Sequence, residues 1–492
     1  MLQTNIKRKS TLNSLPHEGE GSRTTILRQA QDGGEPIRLT SFAQCPEQAQ
    51  RVERHSRTTI SFNTLGCRLN QSETAVIQRT FESGGYKIVD FNQPADVVVI
   101  NTCTVTEHGD ADTRHLVNKI NRINPRARIA LIGCQAQIQK EKLLNLSNVH
   151  WVVGNAKKMD LVSILNDSAF AQGPQVIAPT IPRTSFTLPI AGVDRDHTRA
   201  NLKIQDGCDF FCSFCEIPYA RGRARSREFE DILREAKALV TAGHKELVLT
   251  GINLGTYQYE EKKILNVIDA LAQIKGLMRL RISSIEPTTI PFELFERMAP
   301  GSKLCRYLHI PIQSGHDEIL HLMKRKYTVK KFRNFIEKVY NLVPEIGLGT
   351  DVIVGFPGET PAHFEQTYQL LRDLPLAYFH VFSYSQRQFA QSQNLSNPLK
   401  TETIQTRSKM LRDLSVRKRQ LFIQNLIGSV QKVLFEEKKD GTWTGLTDHY
   451  VRVKVASEND LHNQIRDVSL DRLDGQMCMG KLCAPNMSSS NI

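Results

Sequence analysis

Cys208, Cys212 and Cys215 stand as a Cys-x3-Cys-x2-Cys run inside Ile204–Arg227, IQDGCDFFCSFCEIPYARGRARSR. Three thiols this close cannot all fan out from one regular helix, so they belong on a loop that wraps a ligand. Structural zinc takes four closed ligands, usually as two Cys-x2-Cys or Cys/His pairs, and no fourth ligand stands at that spacing. An iron–sulfur cluster on three cysteines keeps one iron open for a small molecule. Disulfides belong to oxidising compartments, and nothing else in the chain has a secreted character.

The stretch resembles the radical S-adenosylmethionine (SAM) signature, with Phe214 as the aromatic before the last cysteine. The longer string QDGCDFFCSFCEIPYARGRARSR resembles the methylthiotransferases, and among them the type acting on threonylcarbamoyladenosine. The resemblance implies that the open iron chelates the amino and carboxylate groups of SAM. One-electron cleavage then gives a 5′-deoxyadenosyl radical.

A chain of 492 residues predicts two to four domains. No apolar run is long enough for a membrane helix, and Lys7, Arg8 and Lys9 precede no apolar segment of a secretory signal. The reading is a cytoplasmic protein with no membrane partner. Six of the ten cysteines fall in two sets of three, which suits metal ligation in a reducing compartment. Cys45, Cys305, Cys478 and Cys483 read as plain thiols. A net charge of +13 favours a polyanionic partner, although many basic proteins have none.

Residues 1–57 read as a disordered extension with no catalytic role; Ser-Arg-Thr-Thr-Ile occurs at Ser22–Ile26 and again at Ser56–Ile60. Residues 58–166 alternate strands and helices as a doubly wound parallel α/β domain does. The predicted strands are Thr59–Asn63, Asp96–Thr102, Arg128–Gly133 and His150–Val153. Cys67, Cys103 and Cys134 stand just past three of these strands. Ligands bind at the carboxyl edge of such a sheet, so the three can converge there. A buried apolar role is the plainer reading of any one of them. The methylthiotransferase resemblance extends to TLGCRLNQSE, NTCTVT and GCQAQ, and it implies an auxiliary [4Fe-4S] cluster on these cysteines. Gln135 departs from the family's usual Tyr beside the third cysteine.

Residues 167–193 read as a linker. Residues 194–427 carry six strand–helix units, which predict a partial TIM barrel with its chemistry at the carboxyl ends of the strands. Gly251, Glu286, Gln313 and Asp351 fall at those ends and are candidate SAM contacts, though loop capping would also explain residues there. Ser385-Gln386-Arg387-Gln388-Phe389-Ala390 departs from the family's Ser-x-Arg-x-Gly-Thr. Arg221, Arg223 and Arg225 (with Arg227) alternate after the cysteine loop; an extended segment would point them one way, toward RNA phosphates or the SAM carboxylate, and a solvated face with capping pairs to Glu228 or Glu230 is the plainer reading. A basic helix over Thr401–Ile427 is either an RNA-facing surface or a joint between domains. Residues 428–488 alternate as a small antiparallel β-barrel, and 489–492 are a tail. The barrel resembles a TRAM domain, which implies RNA binding although its charges nearly balance.

The resemblance implies two [4Fe-4S] clusters, SAM, a tRNA anticodon loop as partner, a sulfur donor, and a reductant protein such as flavodoxin or ferredoxin. The implied activity is methylthio transfer to C2 of N6-threonylcarbamoyladenosine-37. The isopentenyladenosine type, the ribosomal-protein aspartate type and a non-catalytic iron–sulfur RNA-binding protein are the alternatives. Tyr219-Ala220-Arg221-Gly222 and Thr250-Gly251-Ile252 look more like the threonylcarbamoyl type.

Overall fold

The computed structural model describes residues 58–166, 173–189 and 197–484. The expected extension over 1–57, the tail 489–492 and parts of the 167–193 linker lie outside the described residues.

The first domain is a six-stranded parallel sheet of β1 (Thr59–Thr64), β2 (Lys87–Ile88), β3 (Val97–Thr102), β4 (Arg128–Gly133), β5 (Val149–Gly154) and β6 (Gln175–Ile177), in the order β2-β1-β3-β4-β5-β6. β3 is buried along its whole length, which is why VVVINT is a continuous apolar run rather than an alternating one. Helices Arg68–Ser83 and Glu107–Ile123 follow β1 and β3. Thr106 caps the second by accepting from the Gly109 N–H. The linker expectation needs amending, because β6 lies within it and pairs with β5.

The second domain is the partial barrel. Its strands are β7 (Ala200–Lys203), then the short pair β8 (Gln205–Asp206) and β9 (Arg225–Ser226), then β10 (Glu246–Thr250). A small hairpin of β11 (Gln258–Tyr259) and β12 (Lys262–Lys263) precedes β13 (Arg279–Ile282), β14 (Tyr307–His309), β15 (Gly347–Val354) and β16 (Tyr378–Ser383). Two parallel three-stranded sheets, β13-β10-β7 and β14-β15-β16, meet at β13 and β14. Even-numbered residues of β15 (Leu348, Val352, Val354) enter the apolar layer under the outer helices. Odd-numbered ones, including Asp351, face the lumen by the period-two rule.

The third domain is a closed barrel, β17 (Val430–Lys439), β18 (Thr442–Thr447), β19 (Arg452–Ala456), β20 (Ile465–Asp474) and β21 (Met477–Leu482), in the order β17-β18-β19-β21-β20. Its pairings are antiparallel except β19 with β21, which is parallel and closes the barrel.

This third domain seals the amino-terminal end of the partial barrel. Arg279 Nη1 donates to the Leu446 carbonyl at 2.9 Å, and Arg281 donates to the carbonyls of Asp448 and Thr447 at 2.9 and 3.0 Å. Tyr450 stacks on Tyr307 with centroids 4.6 Å apart, and Arg68 Nη2 of the first domain donates to the Tyr450 hydroxyl at 2.7 Å. All three domains therefore meet at one tyrosine. The helix Thr401–Gln424 runs along β16 as a joint. Its Arg407 is buried against Glu359, and its Lys418 Nζ donates to the Arg372 carbonyl at 2.8 Å. Those two cations are spent within the fold rather than on RNA.

Two outcomes test this seam. A Cβ on Gly347 would stand 2.3 Å from the His449 carbonyl oxygen, so Gly347→Ala is expected to destabilise the protein by about 1–3 kcal/mol through overpacking. Thermal unfolding measures it. His449 is fully buried, and burial pushes its imidazole down to about 4. Between about pH 4 and 6.5 the unfolded chain then binds more protons than the folded one at this site, so stability rises with pH across that window. Melting curves are expected to show a loss of up to about 3 kcal/mol as pH falls through it, and His449→Gln is expected to flatten the dependence.

Candidate active site

The Cys208–Cys215 loop leaves the carboxyl end of the first barrel strand. Its neck is crimped by the β8–β9 pair, with the Cys208 N–H on the Gly222 carbonyl at 3.1 Å. Gly207 has φ +71°, and a Cβ there would lie 2.0 Å from the Arg223 carbonyl oxygen, so only glycine fits. Each sulfur accepts a hydrogen bond. Phe210 N–H reaches Cys208 Sγ at 3.5 Å, Ile217 N–H reaches Cys215 Sγ at 3.4 Å, and Arg325 Nη1 reaches Cys212 Sγ at 3.2 Å. Burial pushes the Cys208 thiol up to about 11 and the other two upward as well. Free thiols here stay protonated, and a coordinated metal is what would ionise them. Three sulfurs with N–H donors on each fit a cluster held by three thiolates.

The second trio sits at the carboxyl edge of the first domain. Cys67, Cys103 and Cys134 follow β1, β3 and β4, which are neighbours in the sheet. A Cβ on Gly66 (φ +92°) would stand 2.8 Å from Cys103 Sγ, so that glycine lets the Cys67 turn fold down onto Cys103. The three thiols act on one another electrostatically, and burial with those neighbours pushes Cys103 up to about 12.

Between the trios lies a buried ionic cluster. Glu73 binds Lys158, Lys203 (2.6 Å) and Arg221 (3.0 Å), and Asp206 binds Lys203 (2.7 Å) and Arg221 (2.9 Å). None of these five side chains is more than 4% exposed. Every donor of Arg221 is used: Nη1 on Glu73 and Asp206, Nη2 on Glu73 and Asn70, and Nε on Cys134 Sγ at 3.2 Å. Asn155 Nδ2 approaches the same sulfur at 3.6 Å.

The cluster beside Cys134 is rich in cations. Three buried cations (Lys158, Lys203, Arg221) face two carboxylates, which leaves one positive charge over, before counting the partly exposed Arg225 on Asp206 at 3.3 Å. Burial would raise Glu73, but Arg221, Lys158 and Lys203 hold it well below the usual carboxylate range. Burial pushes the Lys158 ammonium down to about 8, against the pull of Glu73. A buried unpaired charge costs several kcal/mol. Arg221 Nε and Asn155 Nδ2 both aim donors at Cys134 Sγ, so this edge fits a metal-bound thiolate.

The arginine expectation is corrected here. Arg221 closes the short helix Ile217–Arg221 and is fully buried, so it has no free face for a phosphate. Arg225 lies in β9 and turns inward to Asp206, and Arg227 is buried on Asp231 and Glu235. Arg223 is half-buried, beside Asp209 at 3.2 Å. The alternation predicted one row; the helix and the β8–β9 pair break it.

The four rim residues fall at the barrel's carboxyl side. Glu286 pairs with Arg325, the same guanidinium that holds Cys212, which places a carboxylate beside the cysteine loop. Gln313 has φ +72° and bridges to β15, with its N–H on the Asp351 carbonyl at 2.9 Å. Asp351 lies 2.9 Å from His309 Nε2 in the lumen, and His380 joins them. A Cβ on Gly251 would meet Gln205 Oε1 at 2.9 Å, the atom that accepts from the N–H groups of Ile252 and Asn253. Glu73 and Arg325 were not singled out from sequence. Each looks like an ordinary surface residue until its partner is known.

A second buried link crosses the domains: Arg387 donates to Glu216 Oε2 (3.2 Å), Asp110 Oδ2 (2.8 Å) and Thr104 Oγ1 (2.7 Å). Glu216 directly follows Cys215, and Thr104 directly follows Cys103.

Removing one member of the buried cluster leaves the others unpaired. Glu73→Gln is expected to cost about 3–5 kcal/mol of stability. Arg221→Lys keeps the charge but loses the five-donor fork. The reconstituted variant is expected to lose iron from one trio only, read as iron per chain against wild type.

The family models that match are "Radical SAM superfamily" over residues 202–371 and "Uncharacterized protein family UPF0004" over residues 59–154. The chain is 35% identical to the threonylcarbamoyladenosine tRNA methylthiotransferase MtaB of Bacillus subtilis, across 84% of this chain and 93% of that protein. The MtaB of Aquifex aeolicus is also 35% identical, across 83% of this chain and 99% of its own. The tRNA-2-methylthio-N(6)-dimethylallyladenosine synthase of Dehalococcoides mccartyi is 34% identical, across 78% and 88%. With the two cysteine trios, the partial barrel and identity over nearly whole relatives in place, the chain belongs to the radical SAM methylthiotransferase family, which uses SAM and [4Fe-4S] clusters.

Proposed function

We propose that the protein transfers a methylthio group to C2 of N6-threonylcarbamoyladenosine at position 37 of tRNA, in the cytoplasm. The observation that carries this reading is the 35% identity to MtaB relatives across 93% and 99% of their lengths. Among the described residues no helix is long and apolar enough to cross a membrane. Cys208, Cys212 and Cys215 are assigned to the SAM-binding cluster, and Cys67, Cys103 and Cys134 to the auxiliary one. Gly251, Glu286, Gln313 and Asp351 are assigned to SAM. A sulfur donor and a reductant protein such as flavodoxin or ferredoxin are the remaining partners.

When bound, these groups supply hydrogen abstraction from an unactivated aromatic C–H, a sulfur atom and a methyl group. The chain's own residues supply placement. Arg221 stands six residues past Cys215 and donates to Cys134, so the two trios are joined through one side chain. Arg387 joins the residues next to Cys215 and Cys103 in the same way. Sulfur delivery and hydrogen abstraction must act on one carbon, and these links fix the two edges against each other. Arg325 holds Cys212 and Glu286 together, which orients the loop toward the rim. The lumen behind is closed by Tyr307, Tyr378 and Tyr450, which exclude water from below. The target is an unpaired loop base, which an enzyme can reach without opening a duplex.

Deletion of the gene is expected to remove 2-methylthio-N6-threonylcarbamoyladenosine from tRNA hydrolysates and to accumulate its unthiolated precursor, read by nucleoside mass spectrometry. Complementation with Cys208→Ala is expected to restore none of it. Loss of the isopentenyl derivative instead would overturn the assigned base.

A further inference from the structure

Three aromatic rings lie exposed or half-buried around the cysteine loop, and the reading above does not use them. Tyr219 is 39% exposed and Phe389 is 40% exposed. Their rings stack with centroids 5.4 Å apart and planes at 25°. Phe211 meets Tyr219 edge-on at 5.8 Å. The Arg223 guanidinium covers the Phe211 ring at 4.3 Å from its centroid. Nearby, Lys326 Nζ lies 4.4 Å from the Phe210 ring.

The ladder is built in rather than accidental. Phe211 precedes Cys212 and holds φ +48°, a left-handed conformation rare outside glycine. The Tyr219 N–H bonds to the Glu216 carbonyl at 3.0 Å. The Phe389 N–H bonds to Glu216 Oε1 at 2.9 Å, and Arg387 two residues before it is buried on Glu216, Asp110 and Thr104. All three rings are thus referenced to the segment that carries Cys208–Cys215. Phe389 also stands where the methylthiotransferase pattern has the ring-free Gly-Thr.

We propose that Phe389, Tyr219 and Phe211, with Arg223, form a stacking platform for the unpaired bases that flank the target nucleotide of a single-stranded RNA loop. The proposal rests on the tRNA reading above and adds the surface that holds the loop. Exposed aromatic faces next to guanidinium and ammonium groups are the chemistry that binds single-stranded nucleic acid without reading its sequence. Asp209 engages Nη1 of Arg223 and leaves the guanidinium face on Phe211. A base acted on in a loop has stacked neighbours on both sides, and an enzyme that extracts it has to hold them.

The test uses the full-length reconstituted protein and a stem-loop RNA with the fluorescent base 2-aminopurine beside the loop adenosine, against a fully paired duplex of the same length. Wild type is expected to bind the stem-loop and quench the fluorophore. Phe389→Ala and Tyr219→Ala are each expected to weaken stem-loop binding by about 5- to 100-fold and to relieve quenching, with duplex binding unchanged. Phe389→Tyr is expected to restore both. Iron content and thermal unfolding equal to wild type show that the variants are folded. Folded variants that bind and quench as wild type does would overturn the platform alone. Equal loss of stem-loop and duplex binding would also overturn it, in favour of general electrostatics. A wild-type protein that binds no stem-loop would overturn the tRNA reading, and the platform with it.

Discussion

Arg221 is the constraint on which the arrangement of the site depends. Its guanidinium is fully buried, and its five N–H groups are shared among two carboxylates, an amide oxygen and a cysteine sulfur. It belongs to the barrel domain, whereas Glu73, Asn70 and Cys134 belong to the first domain. An ion cluster of this kind adds little net stability, because desolvation offsets the Coulomb gain. Its effect is geometric. A planar fork with five fixed directions leaves few ways for the two domains to sit against each other. The same fork places its Nε on Cys134, so the joint between the domains and that sulfur are held together.

The same logic repeats at lower stakes around the site. Arg325 ties Cys212 to Glu286, and Arg387 ties the residue after Cys215 to the residue after Cys103. At the far end, Arg279 and Arg281 donate into carbonyls of the third domain, and Tyr450 completes the closure. These four arginines are spent on internal joints.

Local spacing made the Cys208, Cys212 and Cys215 loop legible, because three cysteines within eight residues constrain a loop directly. Cys67, Cys103 and Cys134 were legible only through strand order, which brings the carboxyl ends of β1, β3 and β4 side by side. The strands of the partial barrel were legible from their apolar runs. What stayed hidden depended on partners distant in sequence. Glu73 reads as one polar residue in an amphipathic helix, and its three cations come from residues 158, 203 and 221. The arginine alternation misled because its period assumed extended backbone, whereas Arg221 ends a helix. β6 was missed because three residues give no periodicity.

Iron and acid-labile sulfide per chain, measured after anaerobic reconstitution, test most directly whether both cysteine trios are ligand sets. Two [4Fe-4S] groups predict about eight irons in wild type and about four in each triple alanine variant, at Cys67/Cys103/Cys134 or at Cys208/Cys212/Cys215. A wild-type chain holding about four irons, unchanged by alanine at the first trio, would contradict the account.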